Sequence, residues 1–115
     1  MANTLAVRSP SEQDPVLISR ELFNILKAQS KGLSSQLTFI QHCERTGRPT
    51  IPDDHFVVKY SFRFDCHSAS IDCDQRRYRG TAHTKNEAIE DVYRQIVSTL
   101  IAKEVDKVDH PMAAL

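Results

Sequence analysis

Apolar and mostly polar side chains alternate along residues 55–64, and this pattern constrains the fold more than any other stretch of the chain. The apolar positions are Phe56, Val58, Tyr60, Phe62 and Phe64. Because successive side chains of a β-strand point to opposite faces, the pattern predicts a strand with one face buried and the other in water. Such a strand needs a covering layer, and we expect a common core formed by Phe56, Val58, Tyr60, Phe62, Val92 and Ile96.

Two further strands follow closely in the sequence. The period of two continues at Ala69, Ile71 and Cys73, and the Asp-Gln dipeptide at 74–75 is typical of a tight turn. Residues 77–82 then return as a third strand. Because consecutive strands with short connections pair with one another, the sequence predicts a three-stranded antiparallel meander.

The covering layer is predicted from the last third of the chain. Thr84 and Glu87 form a capping box, a pair that satisfies free amide groups in the first turn of a helix. Apolar side chains then recur at helical spacing: Ala88, Val92, Ile96 and Leu100, flanked by Ile89, Tyr93, Val97 and Ile101. The pattern ends near residue 102, and the mixed charges of residues 103–115 predict a flexible tail.

An extra helix is predicted near the N-terminus. Residues 1–13 are polar and are expected to form a disordered lead-in. Asp14 and Pro15 suit the start of a helix over about 15–30, within a segment 14–32 that ends at a glycine. Apolar residues cover more than one face of this helix, so we expect it to pack on the domain or on a partner. The candidate interface residues are Leu22 and Phe23.

A second helix begins the domain proper. Ser34 and Ser35 are good N-cap residues, and Gly47 with Pro49 ends the pattern. The predicted inner residues are Leu37, Ile40 and Cys43, whereas Gln41, Glu44 and Arg45 are expected to face elsewhere. The predicted fold is therefore α+β, an α-β-β-β-α domain over residues 33–102 with a three-stranded antiparallel sheet packed by helices, preceded by the extra helix.

Length and charge narrow the classes of function. The chain has 115 residues, which is room for one domain, and its 15 basic side chains equal its 15 acidic ones. The overall charge therefore indicates no polyanionic partner, and nucleic-acid binding would need a local patch. No apolar run is long enough to span a bilayer and the N-terminus lacks a secretory signal, so we expect an intracellular protein without membrane association.

Cysteine spacing bears on metals and on catalysis. Cys43, Cys66 and Cys73 contain no Cys-x-x-Cys pair, so reduced thiols are expected rather than disulfides. Cys66, His67 and Cys73 would supply only part of a zinc ligand set, so neither a metal nor another cofactor is predicted. No Ser or Cys nucleophile is paired with a recognisable base, and we expect the chain not to be an enzyme.

The order helix, three antiparallel strands, helix resembles the double-stranded RNA-binding domain family over about residues 34–101. Segment 39–45, Phe-Ile-Gln-His-Cys-Glu-Arg, is similar to the family's groove-contacting helix, with Gln41 in place of the usual Glu. Segment 64–67, Phe-Asp-Cys-His, occupies the place of a loop that ends in a groove-contacting His, without the usual Gly-Pro. Segment 80–89 is similar to the phosphate-binding stretch before the family's last helix.

Within that last segment, Gly80, Thr84, Lys85 and Ala88 fit the family pattern, whereas Asn86 and Ile89 replace two lysines. The resemblance implies a divergent member that binds double-stranded RNA by shape and phosphates, without catalysis. It implies contact of a helix face with one minor groove, of a histidine with a second, and of a lysine with phosphates. The RNA-binding residues that it implies are Gln41, Arg45, His67 and Lys85.

A basic cluster and an alternative function remain open. Arg76, Arg77 and Arg79 form a possible additional patch, and strand alternation places Arg77 and Arg79 on one sheet face, opposite Tyr78. Charge runs on strands also occur for solvation alone. Neutral net charge and Ile89 favour a second hypothesis, a protein-protein interaction or homodimerisation module of the same fold that has lost RNA binding. The extra helix or the last helix would then hold the partner.

Overall fold

The computed structural model describes residues 19–109, with side chains described up to residue 107. This part of the chain is an α+β structure with three helices and a three-stranded antiparallel sheet, compatible with the predicted layout. In chain order the elements are α1 (Arg20–Ser30), α2 (Ser35–Thr46), a 3₁₀ turn (Asp53–His55), β1 (Val57–Ser61), β2 (Cys66–Cys73), β3 (Arg76–Ala82) and α3 (Lys85–Asp109). The lead-in predicted for residues 1–13 lies outside the described residues.

The sheet is the predicted meander, in the order β1-β2-β3. Val58, which packs against the core as predicted, pairs with Ala69, and Ala69 pairs with Gly80. Asp74 and Gln75 form the turn between β2 and β3, with φ angles of 54° and 65°. Two consecutive left-handed residues are the signature of a two-residue hairpin turn whose twist matches the strands, so the predicted tight turn is confirmed.

The core lies between the inner face of the sheet and α3. Val92 and Ile96 are buried, as the apolar stripe predicted. Tyr93 is buried beside them, with its ring centroid 5.7 Å from that of Phe39 in α2 and 5.5 Å from that of Phe56. Tilted aromatic contacts at these distances add to the stabilisation that comes from burying large apolar side chains. The helix α3 therefore joins α2 and the sheet into one core.

The first strand is shorter than predicted, and its distal aromatic residues lie outside the core. The strand β1 ends at Ser61, and residues 62–65 form a turn. Tyr60, Phe62 and Phe64 are 44%, 90% and 69% exposed. The expectation that Tyr60 and Phe62 face the core is therefore wrong.

The position of α3 explains this error. Tyr60 pairs with His67, and His67 pairs with Ala82, the last residue of β3. The helix α3 begins at Lys85 and runs back along β3, so it covers the sheet only up to this end. The predicted alternation holds at the covered end, where Phe56 is buried and Val58 packs against the core, and it ends at the turn.

The helix α1 begins later than predicted. Ser19 is extended, with φ −65° and ψ 156°, and its hydroxyl accepts a hydrogen bond from the Leu22 N–H at 3.0 Å, which makes it the N-cap. The prediction of one continuous helix from about residue 15 is therefore wrong. The predicted start residues, Asp14 and Pro15, lie outside the described residues. The Ser19 hydroxyl also donates to the Glu104 carboxylate at 2.6 Å, which joins the start of α1 to α3.

Two further predictions are corrected by the packing of α1. The helix α3 continues through Asp109, so the tail predicted from residue 103 is helical as far as the structure describes it. Leu22 is buried with Ile25 and Ala28 on the inner face of α1, so the prediction that Leu22 is an interface residue is wrong. Because α1 packs on both α2 and α3, these helices cover its Leu22, and α1 in turn gives the extension of α3 a surface to lie on.

The helix α2 is capped by Ser34 and ends at Gly47, as predicted. Cys43 is buried as predicted, but Leu37 is half exposed, and the other buried residues are Thr38, Phe39 and His42. The helix contacts α1 as well as α3, and His42 is buried against Glu21 of α1. This second neighbour rotates the buried face away from Leu37.

We expect Gly80→Ala to destabilise the fold. A methyl group on Gly80 would lie 2.4 Å from the Ala88 carbonyl oxygen and 2.9 Å from the Asp91 Cβ. Because the backbone of α3 cannot move aside cheaply, the expected loss in free energy of unfolding is about 1–3 kcal/mol. Urea unfolding followed by circular dichroism measures it. Arg79→Ala, an exposed change on the outer sheet face, is the control and should stay within about 0.5 kcal/mol. Equal stability of Gly80→Ala and wild type would contradict this packing.

Candidate functional site

Residues 60–67 form an exposed aromatic surface, which we call the hairpin tip. Its turn carries Phe62, Arg63 and Phe64, and the guanidinium carbon of Arg63 lies 5.3 Å from the Phe64 ring centroid. The Tyr60 and Phe62 rings pack edge to face with centroids 5.0 Å apart. The hairpin tip therefore combines aromatic rings with a cation, a composition suited to stacking on flat groups.

Local contacts hold the hairpin tip in one conformation. The Tyr60 hydroxyl donates to the Asp65 carboxylate at 2.7 Å, and this bond raises the pKa of Tyr60. Asp65 has a φ of 47°, in the left-handed region that Asp tolerates better than most residues. The His67 ring packs beside Tyr60 on the same sheet face, with its centroid 4.9 Å from that of Tyr60. The turn is thus ordered by its own side chains.

His67 links the hairpin tip to the start of α3. It lies in β2 rather than at the end of a loop, which differs from the place implied by the resemblance. Its Nδ1 lies 2.8 Å from the backbone carbonyl oxygen of His83, so this nitrogen carries the proton and donates. His83 stands two positions before Lys85 in the chain. Two predicted RNA-binding residues, His67 and Lys85, therefore lie at the same end of the sheet.

Lys85 is the first residue of α3 and is exposed. The predicted capping box flanks it. The Glu87 N–H donates to the Thr84 hydroxyl at 3.1 Å, and this hydroxyl donates to the Glu87 carboxylate at 3.1 Å. Lys85 lines one pocket together with Gln36 of α2 and Asp53. Lys85 forms no ion pair among residues 19–109, so its charge is available to a ligand.

The exposed face of α2 carries Gln41 and Arg45, as predicted. Arg45 already has a partner, because its Nε and Nη2 donate to the two carboxylate oxygens of Glu21 at 2.8 and 2.7 Å. This two-pronged geometry is the strong form of an arginine-carboxylate pair. Lys27 of α1 and Lys31, the C-cap of that helix, line the same groove, of about 230 Å³, as Gln41 and Arg45. The sequence patterns did not predict these two lysines as neighbours of Gln41.

Glu21 holds α1 against α2 through two partners. Besides Arg45, the Nδ1 of His42 lies 2.7 Å from the Glu21 carboxylate. Burial raises the pKa of Glu21, but the hydrogen bonds and charges of Arg45 and His42 outweigh burial and hold the pKa below its ordinary value of 4.5. The hydrogen bond to Glu21 raises the pKa of Arg45. The carboxylate is therefore ionised and paired at neutral pH.

The predicted basic patch is divided between the two faces of the sheet. Arg77 and Arg79 share the exposed outer face and Tyr78 is buried, as alternation predicted. Arg77 pairs with Asp72 of β2 at 2.8 Å. The guanidinium of Arg76 lies over the Tyr78 ring on the inner side, 5.2 Å from its centroid. The three arginines therefore do not form one patch.

The hairpin tip was not predicted as a surface, although a signal for it exists. Alternation assigned Phe62 to the core and placed Phe64 on the same face of a strand over residues 55–64. A strand of that length is well above the usual five or six residues. The next strand also pairs antiparallel, so the chain must turn before it. A turn within residues 62–65 satisfies both requirements and exposes the aromatic rings.

Residues 19–109 contain three cysteines and several other possible metal ligands. No group of three or more His, Cys, Asp or Glu side chains in this range is arranged to hold a metal ion. None of the helices in this range has the length and apolar character needed to cross a membrane. Cys43, Cys66 and Cys73 are free thiols, and burial raises the pKa of Cys43 and of Cys73. These two thiols are therefore protonated, the less reactive form, at neutral pH.

Comparisons with known proteins do not identify the chain. No family model, curated protein or solved structure matches it. A functional assignment therefore depends on the geometry of the described residues. The strongest element of that geometry is the shared location of the hairpin tip and Lys85.

We expect Glu21→Gln to weaken the docking of α1 and to remove part of the pH dependence of stability. Because the pKa of Glu21 is lowered by folding, its contribution is present above the ordinary value of 4.5 and is lost as the pH falls through the lower folded-state value. At neutral pH the variant should lose about 1–3 kcal/mol in free energy of unfolding. The gap between variant and wild type should narrow as the pH falls from about 6 to about 3.

Urea unfolding at a series of pH values measures both effects. Glu44→Gln is the matched control, because Glu44 is exposed on the same helix as Arg45 and His42. That variant should stay close to wild type across the range. A constant gap between Glu21→Gln and wild type at all pH values would show that the carboxylate charge does not stabilise this contact.

Proposed function

We propose that the chain is a non-catalytic module that binds double-stranded RNA by shape and phosphates, with a double-stranded-RNA-binding-domain-like fold. The observation that carries the proposal is the shared location of His67 and Lys85, which are linked through the His83 carbonyl. The order of α2, three strands and α3 supports it, since this order is compatible with the layout of that family. Gln41 on the exposed face of α2 supplies a third point of contact.

The proposed site makes contacts at several separate points, as binding to a duplex requires. Double-stranded RNA is recognised through 2′-hydroxyls and phosphates over about 16 base pairs. Lys85 lies where the free N–H groups of the first turn of α3 add positive potential, which suits a phosphate. Gln36 of α2 lines the pocket beside Lys85, and Gln41 follows little more than one helical turn further on. In the proposal Gln41 faces one minor groove, His67 a second, and Lys85 the phosphates between them.

The extra helix α1 changes how the α2 face would meet RNA. Glu21 pairs with Arg45 and offsets its charge. Lys27 and Lys31 line the groove beside Gln41, and neither forms an ion pair within the described part of the chain. We therefore assign the phosphate contacts on this face to the two lysines, and to Arg45 the role of positioning α1.

Lys85→Ala should weaken binding to a generic duplex of about 20 base pairs to a similar extent for all sequences. Because one phosphate contact is lost, the slope of log K against log salt should become shallower by about 0.9. Fluorescence anisotropy titrations at several salt concentrations measure both quantities. Lys107→Ala is the matched control, since Lys107 lies near the other end of α3, where it pairs with Glu104 at 2.9 Å. It changes the net charge equally and should leave the slope unchanged.

Two outcomes would count against the proposal. A wild-type protein that binds no duplex even at low salt would remove it. Equal losses for Lys85→Ala and Lys107→Ala would attribute binding to overall charge rather than to a site. Lys85 is exposed, so thermal melts of the variant should match those of wild type and exclude unfolding as the cause.

A specific observation favours a second candidate function, self-association through α1. Phe23 and Leu26 are 52% and 42% exposed on this helix, away from the buried Leu22. Residues three positions apart are neighbours on a helix, so these two side chains form one exposed apolar patch, and contiguous apolar patches are the feature that marks interaction sites. In a homodimer with two-fold symmetry, the same residues of both copies meet. The interface prediction thus keeps Phe23 and replaces Leu22 with Leu26.

Under this second candidate the full chain sediments as a dimer, and Phe23→Asp converts it to a folded monomer. The carboxylate that this substitution adds would have to be buried in the interface without a partner, which is unfavourable. Leu37→Asp is the control, because Leu37 is exposed to a similar degree on α2 and should leave the dimer intact. Analytical ultracentrifugation measures the mass, and a monomeric wild type would exclude the candidate.

A further inference from the structure

The hairpin tip offers more exposed aromatic surface than a perfect duplex can use. Phe62 is 90% exposed and Phe64 is 69% exposed, and both lie in the turn rather than over the core. A duplex presents phosphates and 2′-hydroxyls, while its bases are stacked within the helix. The two rings therefore indicate a further ligand group that is flat and lies beside the duplex site.

The aromatic surface is ordered before any ligand arrives. The Tyr60 hydroxyl is bonded to Asp65 on one side, and the Tyr60 ring packs between the rings of Phe62 and His67. A ligand that stacks on such a surface does not first have to order a mobile loop. The contact can therefore be favourable even with few atoms involved.

The charges around the hairpin tip favour a nucleic acid as the ligand. Arg63 stands between Phe62 and Phe64, and Lys59 is exposed in the adjoining strand. Proteins that bind unpaired nucleotides combine aromatic rings, which stack on bases, with cations that meet the phosphates. The His67 bond to the His83 carbonyl also places this surface next to Lys85, so both would contact the same RNA.

We propose that the hairpin tip stacks on unpaired bases that adjoin a duplex, with Phe62 and Phe64 as the stacking residues and Arg63 on the phosphates. This inference rests on the proposed function, because the duplex itself is held at Lys85, His67 and Gln41. It adds recognition of a junction between paired and unpaired nucleotides to the minor-groove contact of His67. The chain would thus select duplexes with overhangs or bulges over perfect ones.

The test compares the full chain on a blunt duplex of about 20 base pairs, on the same duplex with a single-stranded overhang of about four nucleotides, and on the overhang strand alone. Stacking of one base predicts that wild type binds the overhang duplex roughly 5- to 150-fold more tightly than the blunt one. Phe62→Ala and Phe64→Ala should reduce this preference and keep the affinity for the blunt duplex. Val105→Ala removes an exposed apolar side chain near the far end of α3 and should change neither.

The outcomes that contradict the inference differ from those that contradict the proposed function. Equal affinity of wild type for the blunt and overhang duplexes, or a preference that survives both ring deletions, overturns this inference and leaves the proposed function standing. Phe62-dependent binding to the single strand without duplex binding overturns the proposed function and supports base stacking. Absence of binding to all three RNAs overturns both. Phe62-dependent binding to phosphatidylserine vesicles, without an overhang preference, would replace base stacking with contact to a lipid surface.

Discussion

The ring of Tyr93 lies between Phe39 of α2 and Phe56 at the entry to β1, so one side chain of α3 touches both of the other layers. Its burial raises the pKa of the Tyr93 hydroxyl, which stays protonated in the core. This contact requires α3 to lie very close to the sheet, and Gly80 permits that approach because a methyl group there would overlap the Ala88 carbonyl oxygen. The arrangement of Tyr93 and Gly80 thereby fixes the position of α3 along β3. That position decides which residues of the sheet are covered and which remain in solvent.

The candidate site is a consequence of this boundary. Because α3 starts beside the end of β3, the part of the sheet beyond Tyr60 has no helix over it, and the aromatic residues that follow are exposed. The same start leaves the side chain of Lys85 exposed at that end. His67 then ties the two regions together through the His83 carbonyl. One packing constraint thus brings a cation, a histidine and an aromatic turn to the same place.

Sequence patterns predicted the features that depend on near neighbours in the chain. The cap at Thr84, the turn at 74–75 and the inner face of α3 are of this kind, and the structure agrees with each. Errors arose where contacts between distant elements decide the outcome. Leu22 is buried because α1 docks on the domain, and Arg45 is paired with Glu21, which is 24 residues away. Local periodicity contains no information about either contact, so the exposed position of Arg45 was predictable and its ion pair was not.

The helix α1 belongs to both candidate functions, and its geometry makes them compatible. Lys27 lines the groove with Gln41, and its ammonium stands 6.0 Å from the Phe23 ring centroid. That distance is near the limit for a cation-π contact, so Lys27 is only weakly held by the ring. A partner that covered Phe23 would bury the lysine stem and leave the charged head in water, as long basic side chains commonly do. The cations beside Gln41 would therefore persist in a dimer. Two copies would then present twice as many of them to a single duplex. Because the second copy would bind while the first already holds the duplex, the overall affinity would exceed that of either copy alone.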